Sequence, residues 1–203
     1  MQIIHDFLTK NEYSRPGKKL QKVLAIVIHW TANPAANAKE NRDFFENKKT
    51  GMSGYGSAHY IIGQNGIIVA AIPENEVAYH CGTSEKDPAS GKVYTDEARR
   101  RFGRYASESS SPNNCTIGVE LCPKDSAGNF TKATINAAVE LCADICRRYE
   151  LPAQAITTHH NIVGWKDCPK LWTEKPQLLE AFRQSVAKYR EVKKNGRTDR
   201  SRK

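Results

Sequence analysis

The chain predicts an α/β fold, a single domain with a central mixed β-sheet flanked by helices, on three observations. Residues 23–30 (VLAIVIHW) form a continuous apolar, β-branched run, the pattern of a strand buried on both faces. Residues 131–149 place Ile135, Ala138, Val139, Cys142, Ile145, Cys146 and Tyr149 on one stripe at helical spacing. Strand-like and helix-like segments alternate along the chain, as they do when helices pack on a sheet.

The remaining elements follow in order. Residues 2–12 read as a short helix, closed by a turn at Arg15-Pro16-Gly17. Residues 35–48 read as a helix stopped near Gly51 and followed by a Gly/Ser-rich loop. Residues 59–62 and 66–71 form a hairpin, because Asn65-Gly66 favours a tight turn. Residues 83–114 are polar and aperiodic, and a loop that long in a compact domain is functional or partly disordered. Residues 116–121 and 155–158 are strands. Thr131 is placed to cap the helix that follows it, and a final helix runs from Lys175 or Pro176 to about Val192.

A chain of 203 residues with 39% hydrophobic and 26% charged residues suits one domain with a substantial core. No apolar run approaches the roughly 20 residues that span a bilayer, and the N-terminus lacks the basic and apolar regions of a Sec-type signal. The expectation is a protein made in the cytoplasm, with a monomer as the working unit. The net charge of +9 is uneven. Eight Lys or Arg face only Glu191 and Asp199 between 188 and 203. Residues 1–187 are therefore expected to be the domain and 188–203 a flexible basic tail. Such a tail can bind a polyanion, but no aromatic interleaving or nucleic-acid motif accompanies it, so no nucleic-acid partner is expected. Of six cysteines, at least four read as reduced structural residues, Cys142 and Cys146 among them on one helix face.

Chemistry concentrates at strand ends. His29 closes the most buried strand, where a core histidine with satisfied nitrogens is the plain alternative. The segment TTHHNIVGWKDCPK (157–170) holds His159, His160, Lys166 and Cys168. Imidazole and thiolate are preferred zinc ligands, and three protein ligands leave a fourth position open for water, the arrangement of a catalytic site. Glu120 interrupts an apolar strand on the face opposite Ile117, Val119 and Leu121. It is either solvent-facing or a general base.

Taken in order, VIHWTAN, SAHYII with NGII, IPENEVAYHCG, CTIGVELC and THHNIVGWKDCP resemble the zinc-dependent N-acetylmuramoyl-L-alanine amidase family of phages and bacilli, which is related to peptidoglycan recognition proteins. The resemblance spans residues 23–170. It implies Zn²⁺ on His29, His160 and Cys168, catalytic Glu120, an oxyanion-stabilising Lys166 and a substrate-binding His80. The family's eight-residue spacing to the cysteine selects His160, and His159 stays the alternative because some members double the histidine. Some phage members have a catalytic tyrosine where this chain has Ala58, which shifts weight onto Glu120; His59 reads as structural. The implied partner is peptidoglycan or a muropeptide, reached after lysis or by signal-independent export, as an endolysin would reach it. A peptidoglycan-binding module without catalysis is the alternative, against which the intact Cys168, Glu120 and Lys166 count.

Overall fold

The computed structural model describes residues 1–198. Six strands form one sheet in the order β1-β4-β3-β5-β2-β6. They are β1 (Ile3–His5), β2 (Ala25–Trp30), β3 (Tyr60–Ile62), β4 (Ile68–Ala70), β5 (Thr116–Leu121) and β6 (Ile156–Thr158). Only β3 and β4 pair antiparallel, as the hairpin around Gly66 requires; the other pairings are parallel. The sheet is therefore mixed, as expected.

Period-two alternation assigns the two faces. Ile26, Ile28, Ile117, Val119, Leu121 and Ile156 point to one side, where α3 (Lys132–Arg148) and α6 (Gln177–Thr198) cover them with Leu141, Cys142, Ile145, Phe182 and Val186. Val27 and Ile61 point to the other side. That side is covered in two patches, by α2 (Asp96–Phe102) with the short α4 (His159–Val163), and by α1 (Ala38–Asn47). A cleft opens between those patches. A fifth short helix, α5 (Lys170–Glu174), leads from the cleft to α6.

The helices start where their caps dictate. Asn37 and Glu40 form a reciprocal capping box on α1, and the Thr131 hydroxyl accepts from Thr134 N on α3. Arg42 ties α1 to the N-terminal segment by donating to the carbonyls of Asp6 and Phe7, and Glu46 accepts from Thr9 N. On the far face, Glu74 receives Tyr60, Arg148 and Tyr149, joining the loop after β4 to the end of α3.

Three expectations change. Residues 2–12 do not form a helix; Ile3–His5 add a strand beside β4, because the free edge of β4 offers backbone partners that a short isolated helix cannot match. The 83–114 segment contains α2, capped by Thr95, and buries Tyr94 and Phe102. The final helix runs through the expected boundary at residue 187, since Tyr189 donates to Glu140 and Arg190 to the Leu151 carbonyl. Of the expected tail, residues 199–203 lie outside the described residues. All six cysteines are buried and unpaired with one another. Among the described residues, no helix is long and apolar enough to cross a membrane.

Candidate active site

The cleft lies at the carboxyl ends of the parallel strands β5, β2 and β6, the usual place for a site in such sheets. Its volume is about 670 Å³, and His29, His80, Glu120, His159, Lys166 and Cys168 line it together with Lys18, Lys48, Tyr55 and Tyr79.

Strand register builds the floor. His29 pairs directly with Glu120 across β2 and β5, so both side chains emerge on the cleft face. Ile28 pairs with Thr158 across β2 and β6, which sets the next residue, His159, level with His29. The His29 and His159 rings lie 4.7 Å apart, centroid to centroid. Cys168 Sγ is 3.6 Å from His29 Nδ1. One donor atom from each of His29, His159 and Cys168 falls within 4.8 Å of the others, and all three side chains are buried. They form a group able to hold a metal ion.

His160 is not in that group. It leaves β6 one residue later and so points outward, a third exposed, with Nδ1 donating to the Lys166 carbonyl at 3.1 Å. Its backbone N–H donates to the Cys168 carbonyl. His160 thus braces the 164–168 loop from outside, while His159 occupies the inside place. The alternation already present in residues 156–159 carried this signal. Ile156 faces the core, so 157 and 159 face the cleft.

Burial shapes the electrostatics. It drives His29 well below the ordinary imidazole range, helped by His159, His80 and Lys166, and brings His159 down to about 3. It pushes the Cys168 thiol up to about 12, with the Glu120 charge adding to the effect. Glu120 rises to about 7 because burial disfavours its charge more than Lys166 favours it.

The donor set fits zinc on the structure's own terms. Both His159 ring nitrogens and Glu120 Oε2 are buried without a partner, and each such orphan costs about 1–3 kcal/mol unless something satisfies it. Bonds of about 2.0 and 2.3 Å in a tetrahedron put an imidazole nitrogen and a sulfur about 3.6 Å apart, the separation seen between His29 and Cys168.

His80 borders the cleft but offers no free nitrogen. Nδ1 meets His29 Nε2 at 3.0 Å and Nε2 meets Thr116 Oγ1 at 3.1 Å. His59 is structural, as expected: Nε2 donates to the Glu76 carbonyl and Nδ1 accepts from Gly118 N. Sequence reasoning missed Gly118. A Cβ there would meet His80 Cγ at 2.6 Å, so the ring occupies the space that any other residue would fill. A lone glycine inside a strand, the mark of a close approach, was the available signal.

The chain is similar to known proteins over most of its length. The chain is 33% identical over 186 residues to a probable N-acetylmuramoyl-L-alanine amidase of Bacillus licheniformis, covering 92% of this chain and 47% of that protein. It is 32% identical to the N-acetylmuramoyl-L-alanine amidase BlyA of Bacillus subtilis (strain 168), over 90% of this chain and 46% of that one. The chain thus spans about half the length of the curated relatives it matches. Among solved structures, the catalytic domain of PlyG superposes with a TM-score of 0.68 at 21% identity, covering 94% of this chain and 96% of that one. The catalytic domain of XlyA gives 0.65 at 23% identity, covering 92% and 99%. These two establish a shared fold. The N-acetylmuramoyl-L-alanine amidase family Amidase_2 matches residues 19–171, which includes every residue of the cleft floor, and the chain belongs to that family.

Proposed function

We propose that the protein is a zinc-dependent N-acetylmuramoyl-L-alanine amidase that hydrolyses the amide between N-acetylmuramic acid and L-alanine in peptidoglycan. The observation that carries this reading is the His29–His159–Cys168 group on the cleft floor, with the unpartnered Glu120 Oε2 beside it. His29, His159 and Cys168 would hold the metal, in place of the set containing His160. When bound, zinc supplies Lewis acidity and lowers the pKa of a water from about 16 toward about 7.

The protein's own groups do the rest. Glu120, raised to about 7, is poised to take a proton from water and return it to the departing alanine nitrogen. Lys166 supplies positive charge toward the carbonyl oxygen as it becomes an oxyanion, a contribution typically worth about 10²–10³ in rate. Enclosure of His29, His159 and Cys168 keeps bulk water from competing for these groups. Release of wall fragments would place the action at the cell wall.

Mass spectrometry of muropeptides after digestion of defined walls, run with zinc analysis, tests the reading. Wild type should carry one zinc and release stem peptides with free L-alanine amino ends, and Glu120→Ala should release none. Zinc-loaded protein that binds walls but frees no amines would overturn the enzymatic reading in favour of a binding module.

A further inference from the structure

The hydrogen bonds behind His29 form a directed chain that ends on a backbone carbonyl. Thr116 Oγ1 lies 2.7 Å from the Pro112 carbonyl. Two oxygens that close need a hydrogen between them, and only the threonine carries one. With that proton committed, Thr116 Oγ1 has only lone pairs for His80 Nε2 at 3.1 Å, so Nε2 carries a proton. His80 is buried, and burial favours the neutral ring. Its Nδ1 is therefore bare and accepts from His29 Nε2 at 3.0 Å. His29 then has a bare Nδ1, and that is the atom facing Cys168 Sγ at 3.6 Å.

We propose that Thr116, acting through His80, fixes His29 in the Nε2–H tautomer and so presents an unprotonated Nδ1 to the metal site. Thr116 and His80 are positioning residues, and this assignment rests on His29 being a ligand. Metal-ligating histidines generally donate their other N–H to an anchoring group; here the anchor is a second imidazole, a hydroxyl and the Pro112 carbonyl in series. Asn113 holds the line by accepting from both His80 N and Cys81 N. Losing the hydroxyl leaves His80 Nε2–H without an acceptor. The proton then prefers His80 Nδ1, from which it is donated to His29 Nε2, and His29 must carry its own proton on Nδ1, where the metal would sit.

Long-range ¹H–¹⁵N spectra of the metal-free wild type read the tautomers directly. The expected result is a proton on His29 Nε2 and on His80 Nε2; a proton on His29 Nδ1 overturns the proposal without any variant. Competition with a chromophoric zinc chelator supplies the second measurement. Thr116→Val should bind zinc about 10–100-fold more weakly, and Thr116→Ser, which keeps the hydroxyl, should match wild type. Unchanged affinity in Thr116→Val overturns the proposal. A wild type that takes up no zinc would strike the metal assignment instead, and the spectra would still decide the tautomer.

Discussion

Gly118→Ala is the smallest change that tests how the site is supported. The new methyl carbon would sit 2.6 Å from His80 Cγ, against the 3.4 Å where ordinary contact begins, an overlap of about 0.8 Å. The strand cannot yield, because Gly118 N donates to His59 Nδ1 at 3.0 Å and Gly118 O accepts from His59 N at 3.1 Å. The His80 ring must move instead. A shift of that size carries its 3.0 Å bond to His29 or its 3.1 Å bond to Thr116 outside the range of about 2.7–3.2 Å. Overpacking costs about 1–3 kcal/mol, which outweighs the roughly 0.4–1 kcal/mol that alanine gains by restricting the unfolded chain. The net loss should lower Tm by a few degrees, at about 2–4 °C per kcal/mol for a chain of this size. Zinc affinity should fall by about 10–100-fold. Thermal denaturation and chelator competition on the same preparation measure both. A variant with wild-type Tm and wild-type zinc affinity would refute the argument that His80 is locked against Gly118 to serve His29.

Further outcomes follow from the same geometry. His159→Ala should abolish stoichiometric zinc binding, whereas His160→Ala should retain it, as metal analysis of the two purified variants will report. Glu120→Gln should keep its zinc and lose about 10²–10⁴ in hydrolysis rate, measured on purified walls. Acid should weaken the junction between α1 and the N-terminal segment. Burial opposes ionisation of Glu46, but bonds from Lys49 and Thr9 and the charge of Arg42 outweigh it and bring its carboxyl down to about 2. Because the folded value is depressed, the stabilisation is present above about pH 4.5 and fades as pH falls toward 2. Allowing for solvent screening it amounts to about 1 kcal/mol, so urea melts of Glu46→Gln should be flatter than wild type across that window. Leu141→Ala, in the middle of the α3 core face, should cost about 2–5 kcal/mol in the same assay.

The sheet and its longest helices were legible because their signals are dense. Residues 23–30 and 131–149 each carry one unbroken pattern, and Thr131 and Gly66 sit where local backbone chemistry needs them. The chemistry-bearing positions His29, Glu120, Lys166 and Cys168 could be found because each stands out from its neighbours. What escaped depends on contacts distant in sequence. β1 exists because β4 has a free edge, and α2, whose buried face is only Ala98 and Phe102, was hidden in a polar segment. Counting residues to Cys168 points to His160, but that distance bends with the loop, and it is His159 that lies beside His29 and Cys168. Counting faces along β6 from Ile156 puts His159 on the cleft face. His80 lines the cleft, but its neighbour Thr116, 36 positions away, determines what its nitrogens are free to do.

The spatial order β5-β2-β6 has a consequence in time. His29 and Cys168 are separated by 139 positions along the chain. A ribosome adding about 5–20 residues per second takes roughly 7–28 s to travel that distance. For all but the last nine residues of that interval the nascent protein holds its first donor with neither of the others. No shorter contiguous stretch than 29–168 contains the three donors, so the group they form cannot assemble before that whole stretch has been made. An incompletely translated chain therefore lacks the assembled cleft floor.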